Sequence, residues 1–448
     1  MSTTGRHAVV IGSSMAGLLA ARVLSQYFDR VTVIERDRIG DGPLARKGQP
    51  QARHLHVLLA QGFQILTRYF PDLPQALSDG GAVLVDMTEH MRWYTYGGYR
   101  TRFTFGSRNC YVSRPFLEWT IRQRIMALPN VSMCDGWAVE KLLTNENHSR
   151  VTGVHLEQRE QAAQDIQADL VLDASGRGSQ TPKWLQSFGY ARPEEETVRC
   201  GVGYATRIFR RDTSAADSQD WTFVTGEPPQ QRRGGGAFPV EGDRWIVTLG
   251  GYHGDHPPDS EAGFLEFARN LPTDDVYRVI SQCEPLSDIV LHKFPNSQRR
   301  RYERLERFPE GLLVFGDALC SFNPLYGQGM TVATLEATAL DALLRERSGN
   351  VAGIAPEFFR RMARVLDVPW RMAIGEDFRF PETEGRKPPG TDVLNTYVAM
   401  IHHASQHDTS VCRAFVSVMN LLQPPASLFR PGIMWRVLRA NFVRRKTS

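Results

Sequence analysis

Near the start of the chain, glycines and a carboxylate occur at the spacing of a dinucleotide-binding turn. Residues from His7 onward read as a strand, a tight turn at Gly12 and a helix, and a second strand ends at Glu35. Backbone N–H groups of such a turn bind a pyrophosphate, and the carboxylate hydrogen-bonds a ribose hydroxyl. Ser14 stands where the usual pattern has its middle glycine. The candidate cofactor-binding residues here are Gly12, Ser14, Met15, Ala16, Gly17, Glu35 and Arg36.

A second group of such residues lies much further along the chain. An apolar strand beginning at Gly311 ends in Gly316-Asp317, and a Pro/Gly loop then leads into a helix. A carboxylate at the strand end suits a ribityl hydroxyl, and the helix N-terminus suits a developing negative charge. Together the two groups predict FAD, with the ADP half at the first site and the ribityl chain and isoalloxazine at the second. The candidate residues are Gly316, Asp317, Pro324, Gly327, Gly329 and Met330.

The elements that position these residues predict an α/β fold. A Rossmann-like FAD-binding domain is expected from residues 1–75, 107–185 and 290–345. Segments 201–209 and 244–249 read as strands, and an aromatic stretch from Trp93 through Phe103 and Phe105 is expected to add strands to their sheet. A β-sheet substrate domain is therefore predicted over 76–106 and 186–289. A C-terminal helical region over 346–448 completes the predicted fold, broken by a loop at 381–390.

The sequence resembles the FAD-dependent aromatic hydroxylase superfamily over most of its length. Within that superfamily it is similar to the bacterial polyether epoxidases of the monensin and lasalocid type. The motifs that carry the likeness are GSSMAG with ERD near the N-terminus, RKGQPQARHLH (46–56), SRPFLE (113–118), DLVLDASGRGS (169–179) and ERFPEGLLVFGDALCSFNPLYGQGM (306–330).

The resemblance implies roles for two arginines. Arg53 would reach the flavin or its diphosphate, and Arg114 would lie near the ribityl chain or the pyrophosphate, where a guanidinium group suits bidentate oxygen contacts. The alternative is that each arginine pairs with a surface carboxylate. A further run, Arg299 to Arg301, reads as a solvated loop or a neighbour of the diphosphate.

The middle motif departs from the aromatic hydroxylases, in which an Asp-Gly pair is usual. Ser175-Gly176 stands here instead. Because that acid helps to arrange the passage of a reduced nicotinamide in the hydroxylases, its absence argues against direct use of NADPH. The expected electron source is NADPH or NADH, with a separate flavin reductase as a possible partner.

Composition is typical of a globular enzyme and excludes several other classes. The 448 residues are 42% hydrophobic and 23% charged, and the net charge of +4 is too small to indicate nucleic-acid binding. No apolar run has the length of a membrane span. Six cysteines without CxxC spacing, and no secretory leader, predict free thiols and a cytoplasmic location.

Two histidine pairs and the C-terminal segment are interpreted as structural features. The histidine pairs His54/His56 and His403/His407 lack a third ligand, so no metal site is expected. The C-terminal segment 428–446 mixes apolar and basic residues. It is expected to form a docked helix, with binding to a membrane surface as the alternative.

The predicted function is that of an FAD-dependent monooxygenase. The resemblance implies that a flavin hydroperoxide formed with dioxygen epoxidises alkenes of a polyketide or terpenoid intermediate in specialised metabolism. No catalytic side chain is identifiable, and the lack of a base for a phenol favours an alkene substrate. The alternatives are an aromatic hydroxylase, an alkene reductase and a non-redox FAD-dependent cyclase. Halogenation is disfavoured because segment 234–240 lacks the tryptophan motif that resemblance to flavin halogenases would require.

Overall fold

The computed structural model describes residues 6–159, 161–214 and 220–447. Its strands are β1 (His7–Ile11), β2 (Arg30–Glu35), β3 (Val83–Asp86), β4 (Met91–Thr95), β5 (Gly98–Tyr99), β6 (Arg108–Tyr111), β7 (Val131–Asp135), β8 (Ala138–Thr144), β9 (Val151–Glu157), β10 (Gln164–Gln167), β11 (Leu170–Asp173), β12 (Glu194–Arg199), β13 (Val202–Arg210), β14 (Trp221–Val224), β15 (Arg233–Val240), β16 (Arg244–Gly251), β17 (Val290–Phe294), β18 (Ser297–Arg301), β19 (Leu312–Val314), β20 (Cys320–Ser321) and β21 (Glu384–Gly385).

Its helices are α1 (Met15–Leu24), α2 (Ala60–Tyr69), α3 (Leu73–Asp79), α4 (Met87–His90), α5 (Arg114–Met126), α6 (Thr181–Ser187), α7 (Glu261–Arg269), α8 (Asp275–Ile280), α9 (Gly329–Glu346), α10 (Ala355–Asp377), α11 (Thr391–Ala404), α12 (Thr409–Met419) and α13 (Pro431–Thr447). Strands and helices alternate along the chain, so the predicted α/β fold class is confirmed.

A parallel sheet organises the first core. Its strand order is β19-β11-β1-β2-β7, and every neighbouring pair is parallel. Strand β1 is largely apolar and buried along its whole length, as expected for a strand covered by helices on both faces of the sheet. The carboxyl ends of β1, β2 and β19 meet at one edge of the sheet. That edge brings together the segments that carry Gly12, Glu35 and Gly316.

A second, mostly antiparallel sheet has the strand order β17-β13-β16-β15-β14-β4-β5, with β14 and β4 parallel to each other. Strands β13 and β16 confirm the strands predicted at 201–209 and 244–249. The aromatic stretch contributes β4 and β5, which end at Tyr99. Phe103 and Phe105 lie beyond these strands and pack against the hydrophobic core of this sheet.

The arginine run Arg299 to Arg301 forms most of β18, so the expectation of a solvated loop is wrong. Strand β18 lies in a smaller sheet with the order β20-β18-β12-β21. Its arginines face the glutamates of the antiparallel strand β12, where Arg300 pairs with Glu195 at 3.0 Å and Arg301 with Glu196 at 2.7 Å. The charges of this run are therefore neutralised within the protein. Two further sheets have the orders β10-β9-β8 and β3-β6.

After residue 346 the chain is mainly helical, as predicted. The loop expected at 381–390 separates α10 from α11 and contains the short β21. The C-terminal segment forms α13, which docks through the fully buried Val437, so the docked-helix interpretation is confirmed. Within the described ranges no helix is long and apolar enough to cross a membrane. The boundaries of the three domains given above stay a prediction.

Candidate functional site

The glycine turn after β1 is built by close backbone approach. Gly12 has a φ of +98°, and a Cβ on this residue would lie 2.6 Å from the carbonyl oxygen of Ala174. A Cβ on Gly17 would lie 1.8 Å from the carbonyl oxygen of Gly12, so neither position accepts a side chain. Met15 and Gly17 are buried under the turn. Helix α1 begins at Met15 and presents its first N–H groups at this edge of the sheet.

Ser14 is linked to the predicted Arg114 over the top of this turn. The Arg114 guanidinium donates to the Ser14 hydroxyl at 2.8 Å and to His56 Nε2 at 3.1 Å. His56 Nδ1 lies 2.9 Å from the carbonyl oxygen of His54, which fixes Nδ1 as the donor and Nε2 as the acceptor. Burial and the charge of Arg114 lower the pKa of His56 to about 3, so the ring is neutral.

Glu35 lies at the end of β2, where the sequence predicted a ribose ligand. One of its oxygens accepts from the backbone N–H and hydroxyl of Ser13, at 3.0 and 2.7 Å, and pairs with Arg46 at 2.7 Å. The other oxygen accepts from the N–H of Asp37 at 3.0 Å. Burial opposes the charge, but Arg46 and these donors outweigh it and lower the pKa of Glu35. Glu35 is therefore a carboxylate with one unused lone pair on its second oxygen.

Arg46 connects Glu35 to a second buried carboxylate, Glu118. It pairs with Glu118 at 2.6 Å, and Glu118 also accepts from the side chains of Gln49 at 3.2 Å and Ser14 at 3.3 Å. Both members of this second pair are almost completely buried. Arg46 and Glu118 are not among the predicted site residues, although they lie in the motifs RKGQPQARHLH and SRPFLE. Together they tie the turn to helix α5.

Asp317 follows β19 on the other side of the turn. Its carboxylate lies in a recess that solvent reaches and makes no hydrogen bond with another described residue. Partial removal of water by the surrounding protein raises the pKa of Asp317, and the charges of Arg114 and Arg177 oppose this rise. Gly316 packs against Ala16 so closely that a Cβ would lie 2.5 Å from the Ala16 Cβ. The two predicted motifs are therefore in direct contact.

The backbone of this second turn is held by a buried acid. The N–H of Gly316 donates to Glu336 of α9 at 2.9 Å. Burial and, to a smaller extent, the charge of Asp317 raise the pKa of Glu336 to about 8, against the opposing hydrogen bond from Gly316. Glu336 is therefore mostly protonated near neutral pH. Asp317, which has no hydrogen-bond partner among the described residues, is the acceptor that is open in the recess.

The Pro/Gly loop leads directly into helix α9. Pro324 opens a turn that ends at Gly327, whose φ is +63°. Gly329 is the first residue of α9 and is exposed, and a Cβ there would meet no atom within 4 Å. Met330 is buried and anchors the first turn of the helix. The helix N-terminus thus faces open space beside the loop.

Two predicted arginines lie apart from these groups. Arg36 is exposed and reaches only the carbonyl oxygen of Gly48, at 3.5 Å. Arg53 ends the short 3-10 helix Pro50–Arg53, is exposed, and makes no hydrogen bond or ion pair with a described residue. Neither arginine pairs with a surface carboxylate in the described structure. Their proposed contacts with the cofactor stay predictions.

These features fit the predicted FAD. The two glycine positions leave room for a phosphate at the N-terminus of α1, and the unpartnered Asp317 offers an acceptor for a ribityl hydroxyl. The open N-terminus of α9 suits the electron-rich edge of an isoalloxazine. Arg114 and Asp317, which are far from each other and from the turn in sequence, are brought to Gly12 and Ser14.

A cavity of about 390 Å³ extends from the Pro/Gly loop to the C-terminal helices. His56, Pro324 and Gly327 line one end of it, and the second sheet contributes aromatic side chains. The far end is lined by residues of α11, α12 and the segment that follows α12. Its walls are predominantly apolar, with the aromatic residues Trp93, Tyr96, Tyr111, Tyr204, Phe223, Phe238, Tyr252, Tyr326, Phe380, Tyr397, Phe415 and Phe429. Such a cavity suits an extended apolar ligand.

A buried carboxylate stands behind the cavity wall at the Pro/Gly loop. Asp377, at the end of α10, accepts hydrogen bonds from the Tyr326 hydroxyl and the Asn323 amide, both at 2.7 Å. Tyr326 also lies 3.4 Å from the hydroxyl of Tyr252, and both tyrosines line the cavity. Burial raises the pKa of Asp377 to about 6, with these hydrogen bonds opposing the rise. The second carboxylate oxygen has no partner among the described residues.

Tyr326 and Asp377 are not among the site residues predicted from the sequence, in which no catalytic side chain is identifiable. Tyr326 lies in the 306–330 motif between the predicted residues Pro324 and Gly327, whereas no sequence motif surrounds Asp377. All six cysteines are unpaired. Among the described residues, no group of three or more His, Cys, Asp or Glu side chains could hold a metal ion.

The parallel sheet and the two contacting turns have the Rossmann-type fold that flavin-dependent monooxygenases and halogenases of known structure share. The chain belongs to the same family as Protein Rv3254 of Mycobacterium tuberculosis. The two are 37% identical over 390 residues, which is 83% of this chain and 80% of that protein. No protein-family model matches the chain.

Solved structures with low sequence identity share the fold. A flavoprotein/dehydrogenase from Cytophaga hutchinsonii has a TM-score of 0.70 at 14% identity, covering 99% of this chain and 100% of that one. The flavin-dependent brominase Bmp2 has a TM-score of 0.66 at 14% identity, covering 99% and 100%. The p-nitrophenol 4-monooxygenase PnpA from Pseudomonas putida DLL-E4 has a TM-score of 0.63 at 18% identity, covering 94% and 98%. These likenesses confirm the predicted FAD-binding Rossmann-type fold.

Proposed function

We propose that the protein is an FAD-dependent monooxygenase that epoxidises an alkene of an extended apolar substrate, such as a polyketide or terpenoid intermediate of specialised metabolism. The reaction consumes dioxygen, two electrons and two protons, and it yields the epoxide and one water. Reduced FAD, when bound, supplies the activation of dioxygen. The remaining tasks, which are binding, orientation and exclusion of water, belong to the protein.

The observation that carries this proposal is the contact between the apolar cavity and the Pro/Gly loop. Pro324, Leu325 and Gly327 line the cavity, and the same loop leads into the N-terminus of α9, where the isoalloxazine is proposed to lie. An apolar substrate in the cavity would therefore meet the reactive edge of the cofactor while water is excluded. The walls are predominantly apolar, which suits a hydrocarbon chain, although Arg232, Arg233, Arg371 and Glu376 also line the cavity.

The cofactor is proposed to lie across the two turns. Gly12, Ser14 and Arg114 would hold its pyrophosphate, Glu35 its adenosine ribose, and Asp317 its ribityl chain. Arg36 and Arg53, which are both exposed, would reach its outer oxygens.

Electrons are proposed to come from NADPH or NADH through a separate flavin reductase. The Ser175 hydroxyl and N–H donate to Asp173, at 2.5 and 2.9 Å, so this turn is closed on itself and offers no carboxylate toward the cofactor. The six unpaired cysteines support a reducing, cytoplasmic location.

Hydroxylation of a phenol is a second candidate, favoured by Tyr326 and Asp377. The Tyr326 hydroxyl donates to Asp377, so its oxygen can accept a proton from a substrate hydroxyl in the cavity while Asp377 accepts the tyrosine proton. A carboxyl group with a pKa of about 6 can take up that proton near neutral pH. An alkene substrate does not require this step.

Oxygen uptake tests the proposal. Purified holoenzyme is given NADPH, with or without an added flavin reductase, and a panel of polyenes, terpenoid alkenes and phenols. We expect substrate-dependent oxygen uptake with an alkene, and much faster turnover when the reductase is present. A saturated product without oxygen uptake would instead indicate an alkene reductase, and an isomeric cyclic product would indicate a non-redox cyclase.

A further inference from the structure

The C-terminal helix α13 is anchored to the protein by one face only. Val437 is completely buried, and Ile433 and Ala440 pack beside it against side chains of α11 and α12. The amide of Asn441 donates to the carbonyl oxygen of Met400 at 3.0 Å. This inner face fixes the orientation of the helix on the body of the protein.

The opposite face of α13 is apolar and exposed. Met434, Trp435, Leu438 and Phe442 follow one another at intervals that place them on one side of a helix. The side chains of Trp435 and Phe442 are 60% and 65% exposed. We call these four residues the outer face of α13. A contiguous apolar surface of this kind indicates a binding partner.

The sequence around the outer face is basic. Residues 409–448 contain no Asp or Glu, and their charged residues are Arg413, Arg430, Arg436, Arg439, Arg444, Arg445 and Lys446. Arg436 pairs with Asp408 at 3.0 Å. Arg430 and Arg439 are exposed and form no ion pair within the described part of the chain, and Arg439 lies 5.3 Å from the ring centre of Trp435. Since the whole chain carries only +4, this segment is far more basic than the rest.

The long cavity reaches the surface beside this helix. Leu394 of α11 and Phe429, which lies just before α13, both line the cavity and are 45% and 43% exposed. Phe429 stacks on Tyr397 at 4.9 Å, and Tyr397 donates to the carbonyl oxygen of Leu428 at 2.8 Å. The end of the cavity that is remote from the Pro/Gly loop is therefore exposed at Leu394 and Phe429, and Phe429 immediately precedes the N-terminus of α13.

We propose that the outer face of α13 docks on the surface of an anionic membrane, with the cavity mouth at Leu394 and Phe429 held against the lipid. Apolar side chains on one face of a helix enter the boundary between headgroups and acyl chains, while neighbouring arginines bind anionic headgroups. A second copy of the chain is a less suitable partner for the outer face, because the basic C-terminal segments of the two copies would repel each other. Docking does not depend on the proposed function, whereas entry of a lipophilic substrate from the membrane rests on it.

Vesicle co-sedimentation tests the docking. The full chain is mixed with vesicles of phosphatidylcholine alone or of phosphatidylcholine and phosphatidylglycerol in equal parts. We expect binding to the phosphatidylglycerol vesicles that weakens as salt is raised. Replacing Trp435 and Phe442 by Ser should weaken binding by roughly tenfold or more for each residue, since each loses a buried aromatic contact. Arg430→Glu with Arg439→Glu should remove the preference for phosphatidylglycerol.

The matched control replaces Leu44 and Leu291, which are exposed elsewhere, by Ser. It should bind vesicles like the unchanged protein. The proposal is overturned if the unchanged protein binds neither vesicle, or if the Trp435/Phe442 variant binds as well as the control. It is also overturned if sedimentation in the absence of lipid shows a dimer that only the Trp435/Phe442 variant dissociates.

The position of the cavity mouth is tested with a fluorophore. Leu394→Cys and, as control, Leu44→Cys are labelled with an environment-sensitive dye. On adding phosphatidylglycerol vesicles, the emission of the Leu394 label should shift to the blue and that of the Leu44 label should not. Equal shifts, or none, would show that the mouth does not face the lipid.

Discussion

The Arg114 guanidinium donates to the hydroxyl of Ser14 at 2.8 Å, across 100 residues of sequence. This contact places a fixed positive charge directly over the turn at which α1 begins. It also gives a role to the serine that replaces a glycine of the usual pattern. The same guanidinium opposes the rise in the pKa of Asp317, so it lies close to both motifs of the proposed cofactor site.

Arg114→Ala is expected to weaken FAD binding by about 1.5–3 kcal/mol, the loss of a hydrogen bond to a charged group. Affinity is measured by the quenching of flavin fluorescence when FAD is added to apoprotein. The matched control is Arg108→Ala, which removes an exposed arginine of β6. Equal affinities for the two variants would contradict a contact between Arg114 and the cofactor.

Gly12→Ala is expected to abolish FAD binding, because a Cβ there would lie 2.6 Å from the carbonyl oxygen of Ala174 and displace the turn. Gly42 offers a close control, since it has the same φ of +98° but a Cβ there would meet nothing within 4 Å. Gly42→Ala carries the same backbone strain and should still purify yellow. A yellow Gly12→Ala protein would show that the turn does not hold the cofactor.

Asp317→Asn is expected to have opposite effects on stability and on FAD binding. Because the pKa of Asp317 is raised in the folded protein, its charge destabilises the apoprotein above the ordinary carboxyl pKa of about 4, and this penalty grows as the pH rises through the folded value. The variant should therefore unfold at a higher temperature than the unchanged apoprotein at pH 7, and at the same temperature well below pH 4. Its FAD affinity should fall. Asp41→Asn, at an exposed position, is the control and should change neither quantity.

The two glycine turns could be predicted from the sequence, because the conformation of each turn is determined by residues that are adjacent in the chain. Gly12 and Gly316 lie at turns that follow strands, and both adopt positive φ. The partners Arg46 and Glu118 could not be predicted, since only long-range packing brings them together. Asp377 reaches Tyr326 from the end of another helix for the same reason.

The arginines of β18 illustrate the same limit. Arg299 to Arg301 read as solvated because three adjacent cations rarely lie in a strand interior. Their neutralising partners, Glu195 and Glu196, lie about a hundred residues earlier, and Arg299 pairs with Asp367 of α10 at 2.8 Å. Whether a run of charged residues is exposed can therefore be predicted only when the segment that pairs with it is known.

Tyr326→Phe and Asp377→Asn are expected to separate the two candidate reactions. If the substrate is a phenol, turnover should rise with pH through about 6 as Asp377 becomes charged, and both variants should lose most of that activity. If the substrate is an alkene, turnover should not follow this titration, and the variants should change it little. The readout is the pH profile of product formation at saturating substrate. Asp392→Asn, at an exposed position of α11, is the control.

Labelled dioxygen tests whether the protein is a monooxygenase. The holoenzyme is incubated with an alkene substrate, NADPH, a flavin reductase and ¹⁸O-labelled dioxygen, and the product mass is measured. One labelled oxygen atom should enter the product as an epoxide, with the other atom released as water. A product that carries oxygen from water, or that gains no oxygen at all, would contradict the account.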